Sequence, residues 1–233
     1  APFRQPQPDI LIADVDMETL ARIPHRWPWP RAEIARVLDV ISAGKPRAVF
    51  LDIVFQHLDT GDTSKGDDIL IETLRRMGNV GLISLVEESR TEEGLKLTKF
   101  MSHERFREAA RFNGFVWGVV DGDGVVRSTV FRDNRMPGES CVSLVARSLD
   151  PGCAVRLIAS DSTFSKVLSF PEKDGGFPFI NVLDILEGNI DPVLFRDKIV
   201  FFGVSAGILH DYHTTPIGLI PGVKLLATSF DSL

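Results

Sequence analysis

The chain has 233 residues, of which 44% are hydrophobic and 25% are charged, values typical of a globular protein with a sizeable core. Its net charge of −6 argues against a nucleic-acid partner, because such partners require a basic surface. No apolar run reaches the roughly 18–20 residues that a membrane span requires.

The start of the chain, residues 1–8, is polar and rich in proline and is predicted to be a linker or tether. The end stops abruptly after a periodic segment, so we expect the chain to be a fragment of a longer protein. Residues 9–233 are predicted to form a single domain.

The first half alternates apolar runs with helical patterns. The predicted strands cover residues 10–15, 48–55 and 80–86, and the predicted helices cover residues 31–43 and 67–77. Continuous apolar runs are typical of strands buried on both faces, and intervening helices favour parallel pairing. We therefore predict an α/β fold with a mostly parallel sheet flanked by helices.

The second half is predicted to begin with an inserted β-hairpin. Apolar runs flank the four residues 121–124, Asp-Gly-Asp-Gly, and a short link that contains glycine favours a tight turn. Later segments predict helices over 140–149 and 181–187, a buried strand over 198–204 and the start of a helix over 225–230. Two polar stretches, 56–66 and 87–102, are predicted to be long loops.

Acidic side chains occur where the predicted strands end, and α/β domains normally bind ligands at those ends. Asp14 and Asp16 are expected to share one side of a strand, where paired carboxylates suit Mg²⁺ or phosphoryl transfer. Asp16 can equally cap a helix. Asp52 lies in an apolar strand, which is costly unless the carboxylate is paired, and we predict Arg31 or another cation as its partner.

Two further segments contain candidate binding residues. Trp27 and Trp29 lie in a proline-stiffened stretch before Arg31; they can stack on a ligand or close one end of the core, and the second interpretation is favoured. Ser205 lies in a small-residue turn that can present backbone amides to an anion. Asp211 follows, between two histidines that can bind a metal, but no other spacing supports a metal site.

The two cysteines, Cys141 and Cys153, are compatible with one disulfide bond, and the sequence leaves this open. An apolar run that ends in Asp-x-Asp also begins haloacid-dehalogenase-like phosphatases. On that interpretation Ser84 would bind phosphate and Lys198 would neutralise charge. Lys198 precedes its strand, however, and no later acidic pair follows. A metal-dependent phosphohydrolase that uses Asp14 and Asp16 is the alternative function.

Taken in order, these segments resemble the type-two CHASE domain family, the sensing domains of bacterial cyclases and histidine kinases. The resemblance runs from about Asp9 to Leu233. It rests on residues 12–16, 27–31, 48–55, 114–116, 123–127 and 198–204, on Asp211 with Thr215-Pro216, and on 221–227. Lys224-Leu225-Leu226 departs from the family, which usually has an acidic residue, an aliphatic residue and a histidine there. A role of that histidine is not carried over.

The resemblance implies an extracytoplasmic (periplasmic) sensory domain of a bacterial inner-membrane receptor, and not an enzyme. The expected partners are a small-molecule or envelope stimulus, flanking transmembrane helices and a cytoplasmic output domain, such as an adenylate cyclase, diguanylate cyclase or histidine kinase. A homodimer is open, and no cofactor is expected. The candidate ligand-binding residues are Asp16, Trp29, Arg31, Asp52, Ser205 and Asp211.

Overall fold

The computed structural model describes residues 3–4, 7–59, 64–91, 94–142, 163–171 and 176–233. The strands are β1 (Phe3–Arg4), β2 (Ile10–Val15), β3 (Ala48–Leu51), β4 (Val80–Thr91), β5 (Gly94–Met101), β6 (Phe112–Val116), β7 (Gly118–Val120), β8 (Val126–Arg132), β9 (Phe164–Val167), β10 (Phe170–Pro171), β11 (Phe179–Asn181), β12 (Ile199–Val204), β13 (Tyr212–Thr215) and β14 (Gly218–Pro221). The helices are α1 (Met17–Arg22), α2 (Arg31–Ala43), α3 (Ser64–Met77), α4 (Glu104–Ala109), α5 (Val182–Glu187) and α6 (Gly222–Asp231).

The centre of the fold is a sheet of parallel strands in the order β11-β2-β12-β3-β4-β6. The second half of β4 continues past this sheet and pairs with β5 in antiparallel register. Strands β7, β8 and β9 form a separate antiparallel sheet, and β13 and β14 form a hairpin. The mostly parallel α/β fold predicted from the sequence is therefore confirmed.

Side chains of the central strands alternate between two buried faces, as the pleat of a strand requires. Leu11 and Ala13 of β2 pack in a core that includes α2, α3 and α5, whereas Ile10 and Ile12 pack in a core that includes α6. The amphipathic pattern of α2 follows from the same packing, because Ile34, Val37, Leu38 and Ile41 are all buried. Burial on both faces explains the continuous apolar runs of these strands.

The predicted loop over residues 87–102 is wrong. Strand β4 continues to Thr91, and Gly94, with φ of +120°, leads into β5. The side chains of residues 94–96 are exposed, so this ribbon tolerates the charged residues that make the segment resemble a loop. Backbone hydrogen bonds between β4 and β5 stabilise this ribbon, and they leave no apolar periodicity in the sequence.

The predicted strand over residues 48–55 is too long. Strand β3 ends at Leu51, and the chain then turns toward α4. Phe55 N donates to Ser102 Oγ at 3.0 Å, and Phe55 O accepts from His103 N at 2.7 Å. These bonds replace pairing with the sheet, so apolar residues beyond Leu51 are buried without being in a strand.

The other segments mostly agree with the predictions. The hairpin around residues 121–124 is confirmed by the antiparallel pairing of β7 with β8, although Phe115 belongs to β6 of the central sheet. Helix α3 begins at Ser64 and α6 begins at Gly222, each three residues earlier than predicted. Most of the predicted helix over 140–149 lies outside the described residues, as does Cys153, whereas Cys141 is buried beside Phe115.

Candidate functional site

The carboxyl ends of three neighbouring strands bring Asp14 and Asp52 to the same face of the sheet. Gly203 of β12 pairs with Asp14 of β2, and Asp52 N donates to Phe202 O at 2.8 Å. Because side chains alternate along a strand, both carboxyl groups are on the face that α6 covers. The absent side chain of Gly203 leaves room for the helix, since a Cβ there would lie 2.7 Å from Val223 Cβ and 3.0 Å from Asp52 Cβ.

A cavity of about 410 Å³ lies beside Asp52, between α6, the end of β4 and the β7–β8 hairpin. Its volume is within the range of small-molecule sites. Most of the lining is apolar, with acidic side chains and one histidine among it. The lining residues are Asp52, Val54, Ile83, Leu85, Val86, Glu87, Val116, Gly118, Val120, Val126, Thr129, Leu168, Asp211, His213, Gly222, Leu225, Leu226 and Ser229.

Asp211 and His213 approach Asp52 from the loop that precedes the β13–β14 hairpin and from the hairpin itself. Gly222 N donates to Asp211 O at 3.0 Å, and the Asp211 carboxylate occupies the space where a Cβ on Gly222 would be. This places a negative charge at the start of α6, where the helix dipole favours it. His213 Nε2 lies 3.3 Å from Asp211 Oδ1.

The Asp52 carboxyl retains some accessible surface because it lines the cavity, but protein surrounds it. Burial raises the pKa of this group to about 7; repulsion from Asp211 adds to the increase, and His213 opposes it. In the described part of the chain, no hydrogen-bond donor reaches the Asp52 carboxyl. A carboxyl group in this state is costly to ionise and is available to a ligand.

Asp14, on the other side of strand β12 from Asp52, forms a second, smaller arrangement. Ser205 Oγ donates to Asp14 Oδ2 at 2.6 Å, and Tyr212 Oη donates to Ser205 O at 2.5 Å. Burial raises the pKa of Asp14 to about 6, although the hydrogen bond from Ser205 opposes the increase. Asp14 Oδ1 is buried and accepts no hydrogen bond from the described residues.

Asp16 is separate from Asp14 in its contacts, and its role as a helix cap is confirmed. Asp16 Oδ1 accepts from Thr19 N at 2.8 Å, and Asp16 Oδ2 accepts from Asn181 Nδ2 at 2.8 Å. Burial acts to raise its pKa, but these hydrogen bonds outweigh burial and hold the pKa below its usual value. Asp16 Oδ1 therefore caps α1, whereas Oδ2 links Asp16 to Asn181, the residue that caps α5.

Trp29 and Arg31 lie on the other side of the sheet. Trp29 is fully buried in the core that includes α2, with its ring centroid 5.2 Å from that of Trp27, so the favoured structural interpretation of the tryptophans is confirmed. Arg31 begins α2 and lies 3.7 Å from both Asp59 and Asp67. The predicted pairing of Arg31 with Asp52 is wrong, because α2 packs on the face opposite Asp52.

Of the six candidate residues, Asp52 and Asp211 share the cavity, and Ser205 contacts neighbouring Asp14. Asp16, Trp29 and Arg31 lie elsewhere. Sequence reasoning missed the apolar walls and the position of His213, because both depend on the packing of the β7–β8 hairpin and α6. The Pro221-Gly222 pair could have indicated where α6 begins, since it marks a helix start without a side-chain cap. A ligand-binding role for the six residues stays a prediction.

The placement of Lys198 bears on the phosphohydrolase alternative. Lys198 Nζ donates to Pro8 O at 2.8 Å, at the amino end of β12 and away from Asp14. Over the described ranges of the chain, no group of three or more metal-ligating side chains comes together. The position of Lys198 does not favour phosphoryl transfer at Asp14 and Asp16.

Replacing Gly203 with alanine is expected to lower the free energy of unfolding by about 1–3 kcal/mol, the usual cost of overfilling a packed core. The new methyl group would press on Val223 and move α6 away from the sheet. Gly207→Ala is the matched control, because a Cβ at Gly207 meets nothing within 4 Å. Urea unfolding of both variants measures the difference, and equal midpoints would contradict the close packing at Gly203.

A family model described as the CHASE2 domain matches residues 2–233 of the chain. The chain has no significant match among curated proteins and none among solved structures. In the described segments, no helix is both long enough and apolar enough to cross a bilayer.

Proposed function

Because the chain belongs to the CHASE2 domain family, a family of extracytoplasmic sensory domains from signalling receptors, we propose that it is the input module of a bacterial inner-membrane receptor. In this proposal transmembrane helices flank the domain, and a cytoplasmic cyclase, diguanylate cyclase or kinase produces the output. The domain binds the stimulus and leaves catalysis to that output domain.

The observation that carries this proposal is the cavity beneath α6 with the Asp52 carboxyl facing it. A sensory domain needs a preformed space for its stimulus, and an apolar space with a few polar groups suits a small molecule. Ionising Asp52 in this cavity is costly, so a bound molecule that satisfies this group would stabilise one arrangement of the domain over another.

Helix α6 links the cavity to both ends of the domain. Its first residues line the cavity, and near its last residues Gln7 N donates to Asp231 Oδ1 at 3.0 Å. Ser169 N also donates to Ser232 Oγ at 2.9 Å. A ligand that shifts α6 therefore moves the segments that would join the flanking membrane helices, and the size of the response depends on the difference in affinity between the two arrangements.

The proposal is tested by a substitution that fills the cavity in the full-length receptor. Leu168 lines the cavity and is 5% exposed, whereas its neighbour Val167 is 69% exposed, so Leu168→Trp and Val167→Trp are a matched pair. We expect Leu168→Trp to fix the receptor at one output level across growth conditions that vary the output of the wild type, and Val167→Trp to behave as the wild type. The output product is measured in cells.

The folding of each variant is checked by circular dichroism on the 233-residue chain. A folded Leu168→Trp variant whose receptor still varies its output as the wild type does would contradict a stimulus site in this cavity.

A further inference from the structure

The chemistry of the cavity limits which molecules it can bind. Three carboxyl groups line it, those of Asp52, Asp211 and Glu87, and none of the described lining residues is a lysine or an arginine. An anionic ligand would be repelled by these carboxyl groups, and His213, the lining side chain that could pair with it, already lies 3.3 Å from Asp211 Oδ1. The cavity therefore favours a neutral or positively charged molecule.

The surroundings of the Asp52 carboxyl favour a positively charged ligand over a neutral one. It is enclosed by protein and has no hydrogen-bond donor in the described part of the chain. A buried carboxylate without a donor is unfavourable, and a ligand ammonium group offers three donors and the opposite charge. Burial raises the pKa of Asp52 to about 7, which agrees with a carboxyl group that lacks its counter-ion. A positively charged ligand therefore offsets the cost of ionising the buried Asp52 carboxyl, whereas a neutral ligand does not.

The apolar walls exclude a bare metal ion as the preferred occupant. Val54, Ile83, Leu168 and Leu226 line the cavity together with the carboxyl groups. Hard divalent cations take six or more oxygen ligands, which these side chains cannot supply. The walls instead suit a hydrocarbon or aromatic body that leaves water when it binds.

We propose that the cavity binds a small molecule that has a protonated amine and an apolar body, with the amine held by Asp52 and Asp211 and the body packed against the walls of the cavity. This rests on the proposed function, because it names the class of stimulus that the sensory site accepts. Glu87 is exposed at the cavity and adds negative charge along the path of an entering cation.

The test uses three probes of matched shape, phenylbutylamine, phenylbutanol and phenylbutyrate, titrated calorimetrically into the 233-residue chain at neutral pH. We expect the amine to bind at least about tenfold more tightly than the alcohol, and the carboxylate to bind more weakly still, because only the amine pairs with the buried acid. An alcohol that binds as tightly as the amine would overturn the proposal.

Variants locate the binding. Asp52→Asn keeps the size of the side chain and removes its charge, and we expect it to weaken amine binding about tenfold or more. Asp197→Asn is the control, because Asp197 is exposed and lies beyond the opposite end of β12. Leu168→Trp should abolish binding by occupying the space. Amine affinity that is equal in the wild type and Asp52→Asn would place the amine elsewhere and overturn the proposal.

The outcomes separate this inference from the proposed function. If no amine binds but Leu168→Trp still fixes the receptor output, the ligand class is wrong and the sensory role stands. If the amine binds through Asp52 but Leu168→Trp leaves the receptor output unchanged, the ligand class is right and the cavity is not the signalling site.

Discussion

Replacing Trp29 with alanine is expected to lower the free energy of unfolding by about 3–5 kcal/mol, the usual cost of deleting a buried aromatic side chain. Trp29 is fully buried, packs edge-on against Trp27 and lies in the core between the sheet and α2. A loss of this size is a large fraction of the stability of a typical domain. Urea unfolding followed by circular dichroism measures it.

Trp27 provides a matched control, because it has the same side chain two residues earlier and is only partly buried. We expect Trp27→Ala to cost much less than Trp29→Ala. Trp29→Phe should also cost less than Trp29→Ala, because it keeps an aromatic ring and removes an indole N–H that finds no acceptor among the described residues. Similar losses for Trp27→Ala and Trp29→Ala would contradict the burial of Trp29 in the core.

The second large effect concerns pH. Asp52 has a pKa of about 7 in the folded protein, against roughly 3.9 in an unfolded chain. Between these values the folded state keeps a proton that the unfolded state has released, so the contribution of Asp52 to the free energy of unfolding falls as pH rises from about 4 to 7 and is then level. The gap between the two pKa values corresponds to a loss of up to about 4 kcal/mol.

The asparagine side chain in Asp52→Asn does not titrate, so this variant has no such proton to release. We therefore expect the variant to lose most of the fall in stability between pH 4 and pH 7 and to be more stable than the wild type at pH 8, by up to about 4 kcal/mol. Asp14, whose pKa is raised to about 6, leaves a smaller slope that ends near pH 6. Thermal and urea unfolding at several pH values, with Asp197→Asn alongside, measure this effect. Parallel stability curves for the wild type and Asp52→Asn would contradict a raised pKa.

The sequence was sufficient for those parts of the fold that depend on local pattern. Strand β2 is a continuous apolar run because both faces of the sheet are covered, and α2 shows one apolar stripe because one side meets the core. Strand β5 was missed because an exposed antiparallel ribbon needs no apolar face, so its charged residues resembled a loop. The capping role of Asp16 was weighed correctly, because its signal is local.

The candidate site was predictable only in part, for a physical reason. That Asp52 is buried follows from its apolar neighbours, but its surroundings depend on the distant segments of α6, β13 and the β7–β8 hairpin. Trp29 and Arg31 were grouped with Asp52 as candidate binding residues, yet they lie on the opposite face of the sheet. The face on which a helix packs decides which groups meet, and no short spacing in the sequence encodes that choice.

The position of the cavity under α6 gives that helix two different sides. Leu225 and Ser229 line the cavity, whereas Val223, Ala227 and Phe230 are packed against the sheet. A molecule in the cavity therefore acts on one side of α6 while the other side stays packed, so we expect the helix to move as one piece and the contact between Gln7 and Asp231 to move with it.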